Sequence, residues 1–545
     1  MKANRVTGWA LWLLLTAVAA PIQAQDWIYT TVEGDNLWNL SEQHLDSVMR
    51  FKQLQRINRI ENPKQMRPGT RLRIPLKWIR SNPVPATVEA IQGEVTLRRS
   101  DGTSAPLQPD DLIYLGDQVR TAQGSTVAIR FADDSILTLH EDSLIRFDHL
   151  SAHGRTGMVD SRLNLLEGRM DTRVIPAKGP GSRFQIKTPS AISAVRGTEY
   201  RAAVSDNGSV SSIEVLEGSV AVKGADKQSL IKAGFGTRVA EGEAPLAPRK
   251  LLPAPTLKPV DGAIRSINWV LQWQAVEGAS AYRLEIAEQR SFDTLLWQQL
   301  SVHHRAALPD LPDGRYFARI RAVDPLGLEG HNAVQTLILD ARPQAPIQLK
   351  PDDQQLYRGE SPTLRWTQSQ EADRYRLEIA VDQQFEQVLI DRDDLSETRF
   401  NTNELPIPGT YFWRLTSIAA DGELGPVGTV RSWQAKTIPA AIDTQMQSTD
   451  DGMLVANWPA GLEGQRYQLQ MAQDPQFQQL LVDQLLDTPS YRFETFSGGS
   501  RYLRVRAVEP DGFAGPWGAV QRVLPTPNWT PLILFNSALG LLLLL

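Results

Sequence analysis

The sequence predicts a multidomain, mainly β chain, and three observations carry that expectation. Aromatic-marked strands recur at a fixed interval through the second half. Short alternating strands broken by glycine turns fill the middle, and one stretch near the N-terminus has helical periodicity. With 545 residues the chain exceeds what one hydrophobic core sustains, so about four or five domains are expected.

Lys2 and Arg5 precede an apolar stretch from Trp9 to Ala20, and Ile22-Gln23-Ala24 forms a small-residue cleavage site. Residues 1–24 therefore read as a secretory signal peptide, with the mature chain beginning near Gln25 and an uncleaved anchor as the alternative. The chain has no cysteine, which excludes thiolate catalysis, a lipid-anchored cysteine and sulfur-ligated metal, and leaves each fold to its own core. A net charge of −5 argues against nucleic acid as a partner. The charge is uneven, however: from Arg50 to Arg80 many Lys and Arg residues face the single acid Glu61. That run reads either as a solvated helix face or as an attractor of an anionic polymer.

Residues 27–76 fit a strand, two helices and a second strand. Ile28 to Val32 is β-rich, and Leu72-Arg73-Ile74 alternates before the stop at Pro75. Between them, Leu37, Leu40 and His44 define a helix over 36–44, and Phe51, Leu54 and Ile57 one face of a helix over 48–58. From "YTTVEGDNLWNLSEQHL" to "NPKQMRPGTRLRIP" this segment resembles a LysM domain. The resemblance implies a βααβ fold that binds glycans containing N-acetylglucosamine, such as peptidoglycan or chitin. It places the sugar in a groove between Gly34, Asp35, Asn36 and Leu37 on one side and the loop bearing Ile60, Asn62, Pro63 and Met66 on the other. Loop amides and carbonyls suit an N-acetyl group, Gly34 permits close approach, and Leu37, Ile60 and Met66 offer apolar contact to its methyl. Asp35 reads equally as an N-terminal helix cap. Glu33 and Asn36 stand where the family has proline and threonine, which bears on ligand choice more than on fold.

Residues 86–224 read as an all-β domain. Similar words end in a glycine turn at Gly93, Gly168 and Gly218, which predicts a stacked, repetitive sheet. The stretch "FQIKTPSAISAVRGTEYRAAV" and the upstream "DQVRTAQGSTVAIRFADDSILTLHEDSLIRF" resemble a FecR-type domain, found in periplasmic parts of envelope signalling proteins. Signalling members carry a cytoplasmic segment that acts on an alternative sigma factor. Only about five residues precede the apolar signal here, so a direct sigma-factor regulator is not expected. Arg196-Gly197-Thr198-Glu199 reads as a turn fixed by its own hydrogen bonds and charge pair, with a partner-binding loop as the alternative.

Residues 253–341, 343–436 and 440–525 are three repeats. Trp273, Trp366 and Trp458 lie 93 and then 92 residues apart, and Tyr282, Tyr375 and Tyr467 keep the same intervals, as do Phe292, Phe385 and Phe477. A buried tryptophan and a late tyrosine strand predict β-sandwiches, and the units resemble fibronectin type III domains, which serve as spacers or protein-binding surfaces. The three tryptophans read as core rather than as sugar-stacking platforms. Residues 529–545 form an apolar tail. A helix from Trp529 would reach about 25 Å against a bilayer core of about 30 Å, so the tail reads either as a marginal membrane anchor or as a segment packed on a partner.

No HExxH, GxSxG, phosphate-binding loop or dinucleotide fingerprint is present, and the modules leave no segment large enough for a usual hydrolase domain. His140, His149 and His153 with Asp148 form the one suggestive group and read as surface histidines on a loop. No catalytic residue, metal or cofactor is expected. The leading expectation is a non-catalytic periplasmic scaffold or envelope sensor, tethered to peptidoglycan and presenting its β modules to an envelope protein. One alternative is an upstream component of transmembrane signalling anchored by the tail, and a second is a wall-modifying enzyme whose carboxylate pair meets only in three dimensions.

Overall fold

The computed structural model describes residues 26–195 and 197–525. The expected signal peptide, the apolar tail and Arg196 lie outside the described residues. Strand accounts for 48% of the chain and helix for 4%, the mainly β class that the alternating patterns predict. Two compact units divide between Ala341 and Arg342. Among the described residues no helix is long and apolar enough to cross a membrane.

The first module is the βααβ unit. Strands β1 (Asp26–Thr30) and β2 (Arg71–Pro75) pair antiparallel, with Ile28 opposite Arg73. Helix α1 (Leu37–His44) buries Leu37 and Leu40, and α2 (Phe51–Asn58) buries Leu54. The chain enters α2 through a 3-10 turn at Val48–Arg50, where the sequence suggested one continuous helix. Ser47 explains the early start, because its hydroxyl accepts the Met49 amide. Leu37, Leu40, Leu54, Leu72 and Ile74 share one core with Met158, a residue of the next module, so the two modules pack together.

The all-β module consists of two facing sheets whose strand pairing closes on itself. The long strand Val159–Arg173 belongs to both sheets: its first half pairs with Leu144–His153, and its second half with Ile136–Leu139 and Glu199–Val204. Val88, Ile129, Phe147, Leu165, Ile186, Tyr200 and Val215 fill the space between the sheets. The repeated glycine words mark the places where the chain passes from one sheet to the other. Gly93, Gly168 and Gly218 have φ of 80°, 81° and 77°, and a Cβ on each would collide with Ser125, Ser143 and Thr198 respectively. Pairing continues past residue 224, because Lys227–Lys232 and Phe235–Ala240 extend the sheets and their Ile231 and Val239 complete the core.

Each of the three repeats is a two-sheet sandwich, the architecture that the sequence predicts. In the first, Ala281–Ala287 lies between Trp297–Ser301 and Gly314–Val323, and Ala333–Leu339 completes the larger sheet. Strands Arg374–Ala380 with Gly409–Ile418, and Arg466–Ala472 with Arg501–Val508, form the same central pair in the second and third. Trp273, Trp366 and Trp458 are core residues, each edge-on to its tyrosine partner with ring centroids 5.3, 5.8 and 5.5 Å apart. In each repeat the tyrosine hydroxyl accepts a backbone N–H, that of Val276, Ser369 or Gly461.

Candidate functional site

The two loops singled out in the first module meet at a backbone hydrogen bond: the Leu37 N–H donates to the Pro63 carbonyl over 2.9 Å. Gly34 has a φ of 88° and open space where a Cβ would stand. Asp35 is not the helix cap. Its carboxylate accepts the Tyr29 hydroxyl at 2.9 Å and the Val32 amide at 2.7 Å, closing the turn after β1. Burial, then the bond and charge of Asp35, push the Tyr29 hydroxyl up to about 12, so it remains a donor at neutral pH. The cap is Asn36, extended at φ −140°, whose side-chain oxygen accepts the Asn39 amide at 2.8 Å. On the second loop the Asn62 side chain accepts the Lys64 amide at 3.0 Å, and Gln55 brackets Ile60 by donating to its carbonyl and accepting its amide.

Leu37 is 0% exposed and Met66 is buried beside it in the core, so half-buried Ile60 and Pro63 are the apolar side chains these two loops offer to solvent. Sequence reasoning passed over Trp38, which is 47% exposed on α1 with its ring 5.2 Å from that of Phe51. Its signal was present: an apolar residue off the Leu37, Leu40, His44 face. Arg50 pairs with Asp46 at 3.0 Å and lies over Trp78, and Arg73 pairs with Asp26 at 2.6 Å. Lys52, Arg56, Arg59, Lys64 and Arg67 face solvent, so much of the basic run keeps an open positive surface.

A second cluster was not legible in the sequence. Where the first repeat meets the all-β module, five arginines (Arg169, Arg201, Arg283, Arg319, Arg321) interleave with Asp171, Glu214, Glu285 and Glu329. Glu285 is bonded to Arg319 at 2.5 Å and to Arg321, while Glu329 receives Arg283 at 2.5 Å and Arg169 at 3.0 Å. Asp171 bridges the modules, 3.3 Å from Arg319 and 3.5 Å from Arg321. The second Glu329 oxygen stands near Arg201 and Arg321 at 3.8 and 3.1 Å, close enough for charge pairing but outside hydrogen-bond geometry.

His140 corrects the surface reading, because it is 0% exposed and faces Asp171 at 3.1 Å. Burial lowers its pKa against the pull of Asp171. His149 and His153 lie on the strand Leu144–His153 rather than on a loop, and His149 bonds Ser151. Burial alone would raise Glu285, but Arg319 and Arg321 outweigh it and hold the carboxyl at about 2. Burial pushes Glu214 up to about 7, only partly offset by Arg201 at 3.6 Å. Within 197–199, Gly197 has a φ of 70° and a Cβ there would collide with Pro176, and Thr198 exchanges backbone bonds with Val174. That segment is a packed turn.

Comparison with known proteins puts names to two modules. The LysM domain model matches residues 29–75, and the FecR protein model matches residues 117–221. The chain therefore carries a LysM domain and a FecR domain, both from binding and signalling families rather than catalytic ones. An uncharacterized protein of Treponema pallidum (strain Nichols) is 25% identical over 366 residues, covering 61% of this chain and 50% of that protein. The chain thus spans about half the length of the curated relative it matches. Among solved structures, a candidate anti-sigma factor from Parabacteroides distasonis ATCC 8503 overlaps 24% of this chain and 59% of its own, with 13% identity and a TM-score of 0.21. The FN1–FN3 domains of chicken CNTN1 overlap 51% and 99%, with 15% identity and a TM-score of 0.20.

Proposed function

We propose that this LysM- and FecR-bearing chain is a non-catalytic, exported scaffold of the bacterial envelope. Its first module holds peptidoglycan, and its β modules present surfaces to protein partners in envelope sensing. The observation that carries the reading is the Leu37 to Pro63 bond. It supports a groove that is formed before any ligand arrives, between the two loops proposed to hold N-acetylglucosamine. Gly34, Asp35, Asn36 and Leu37 then act largely through backbone and turn geometry, while Ile60, Asn62, Pro63 and Met66 shape the opposite wall. The open basic run adds long-range attraction to a carboxylate-bearing wall polymer, which salt weakens.

The test is sedimentation of the mature protein with isolated sacculi at moderate salt. Wild type should co-sediment, and Ile60→Ser with Asn62→Ala should lose at least tenfold in affinity while keeping its circular dichroism. Trp38→Ala should bind like wild type. Loss through Trp38 instead would move the sugar to the exposed aromatic pair on α1, the second reading that its 47% exposure favours. Absence of wild-type binding would overturn the tether, and release of soluble muropeptides would overturn the non-catalytic reading.

A further inference from the structure

The face that the first repeat turns to the FecR module recurs, with altered charges, in the third repeat. Strand register fixes the correspondence. Glu285 opposite Arg319 and Arg283 opposite Arg321 match Gln470 opposite Arg504 and Gln468 opposite Arg506. The bridge Val323 to Glu329 matches the bridge Val508 to Ala514. The third repeat therefore keeps both arginines but has an amide in place of Glu285 and a methyl in place of Glu329. The second repeat takes the opposite course, keeping the Glu378–Arg414 pair at 2.8 Å and replacing the second arginine with Thr416.

The two guanidinium groups of the third repeat are nonetheless held in place. Arg504 stacks on Phe477 and Trp517, 4.0 and 4.2 Å from the ring centroids, and Arg506 lies 4.3 Å from the same indole. Arg504 donates to Gln470 and Arg506 to Gln468, and both amides donate onward to Asp483 at 2.9 and 2.7 Å. Among the described residues neither arginine makes an ion pair; Asp483 reaches them through the two amides. In the first repeat the corresponding arginines receive Asp171, a carboxylate presented by another β module.

We propose that the Arg504, Arg506 and Trp517 face of the third repeat is a docking site for an acidic side chain on a protein partner, held as Arg319 and Arg321 hold Asp171. Charge complementarity and the internal precedent select this occupant. Two pre-set planar forks suit a carboxylate, and stacking removes the entropy cost of ordering them. The chain's own Asp171 is already engaged by the first repeat.

The experiment uses the full mature chain and a hexaglutamate peptide bearing a photo-crosslinker, with cross-links mapped by mass spectrometry. Wild type should cross-link within residues 501–517, apart from any labelling of the basic first module. Arg504→Gln with Arg506→Gln should reduce the 501–517 signal at least tenfold and leave the first-module signal as an internal control. Gln470→Glu with Arg506→Thr rebuilds the second repeat's Glu378–Arg414 pair with Thr416 beside it and should also abolish the signal, without lowering the unfolding temperature. No wild-type labelling of 501–517, or labelling that survives both variants, would overturn the proposal. Displacement of the peptide by an oligogalacturonate at lower concentration than by unlabelled hexaglutamate would overturn it in favour of an anionic glycan.

Discussion

At the residue scale the FecR module is set by three glycines. Gly93, Gly168 and Gly218 stand where the chain changes sheets, in backbone conformations that L side chains adopt at a cost of about 1–2 kcal/mol. They also abut a neighbouring hydroxyl residue, and around Gly168 even the Ser143 Cα lies 2.6 Å from where a Cβ would sit. Gly124 separates the two effects, because its φ is 67° but its surroundings are open. Gly124→Ala should therefore cost about 1 kcal/mol, and Gly168→Ala about 3 kcal/mol or more because overpacking adds to strain. Urea unfolding of the two variants checks this, and equal costs would mean the close approach at Ser143 relaxes freely. The recurring glycines were legible as repeated words; what they avoid was not, since Ser125 and Ser143 lie 32 and 25 residues away.

At the element scale the interface between the FecR module and the first repeat is a charge cluster whose members titrate in opposite senses. Glu285 and His140 have lowered pKa values, so their contributions are complete above their ordinary pKa and fade on acidification. For His140 this begins below about 6.5, and for Glu285 between about 4.5 and about 2. Glu214, raised to about 7, acts the other way: the stability held by its neutral form is complete below about 4.5 and lost as pH rises through about 7. Glu214→Gln keeps the neutral form at every pH. Its unfolding temperature relative to wild type should therefore climb between pH 5 and pH 7 and level off above, as read by thermal unfolding across that range. A difference independent of pH would mean Glu214 stays ionised beside Arg201. None of this was visible in the sequence, because Arg319 meets Asp171 across 148 residues of chain.

At the scale of the whole molecule, the cores decide how many parts unfold separately. The first repeat has its own apolar core around Trp273, yet its polar face is locked to the FecR module by Asp171, Arg169 and Arg201, and Leu295 donates to Thr126. The third repeat has a separate core around Trp458. Removing a buried tryptophan costs about 3–5 kcal/mol. By calorimetry of the full chain, Trp273→Ala should lower the transition that includes the FecR module, whereas Trp458→Ala should lower a transition of the third repeat and leave the first in place. A single transition displaced by either change would show one cooperative unit instead.

The sequence by itself determined the order and class of the modules, because alternation, helical spacing and glycine punctuation are local properties that each element carries with it. It also determined that Trp273, Trp366 and Trp458 are core, since each closes an alternating apolar stretch at the end of a strand or directly after one. It singled out two loops as a candidate sugar site but not the partners of Asp35 or the burial of Leu37, for these depend on which way the turn closes. Tertiary structure alone decided that His140 is buried, that the FecR module extends beyond residue 224, and that one repeat neutralises its arginines with a neighbour's carboxylate while another leaves them open. Burial and charge pairing are set by elements distant in the chain, and no local pattern encodes them.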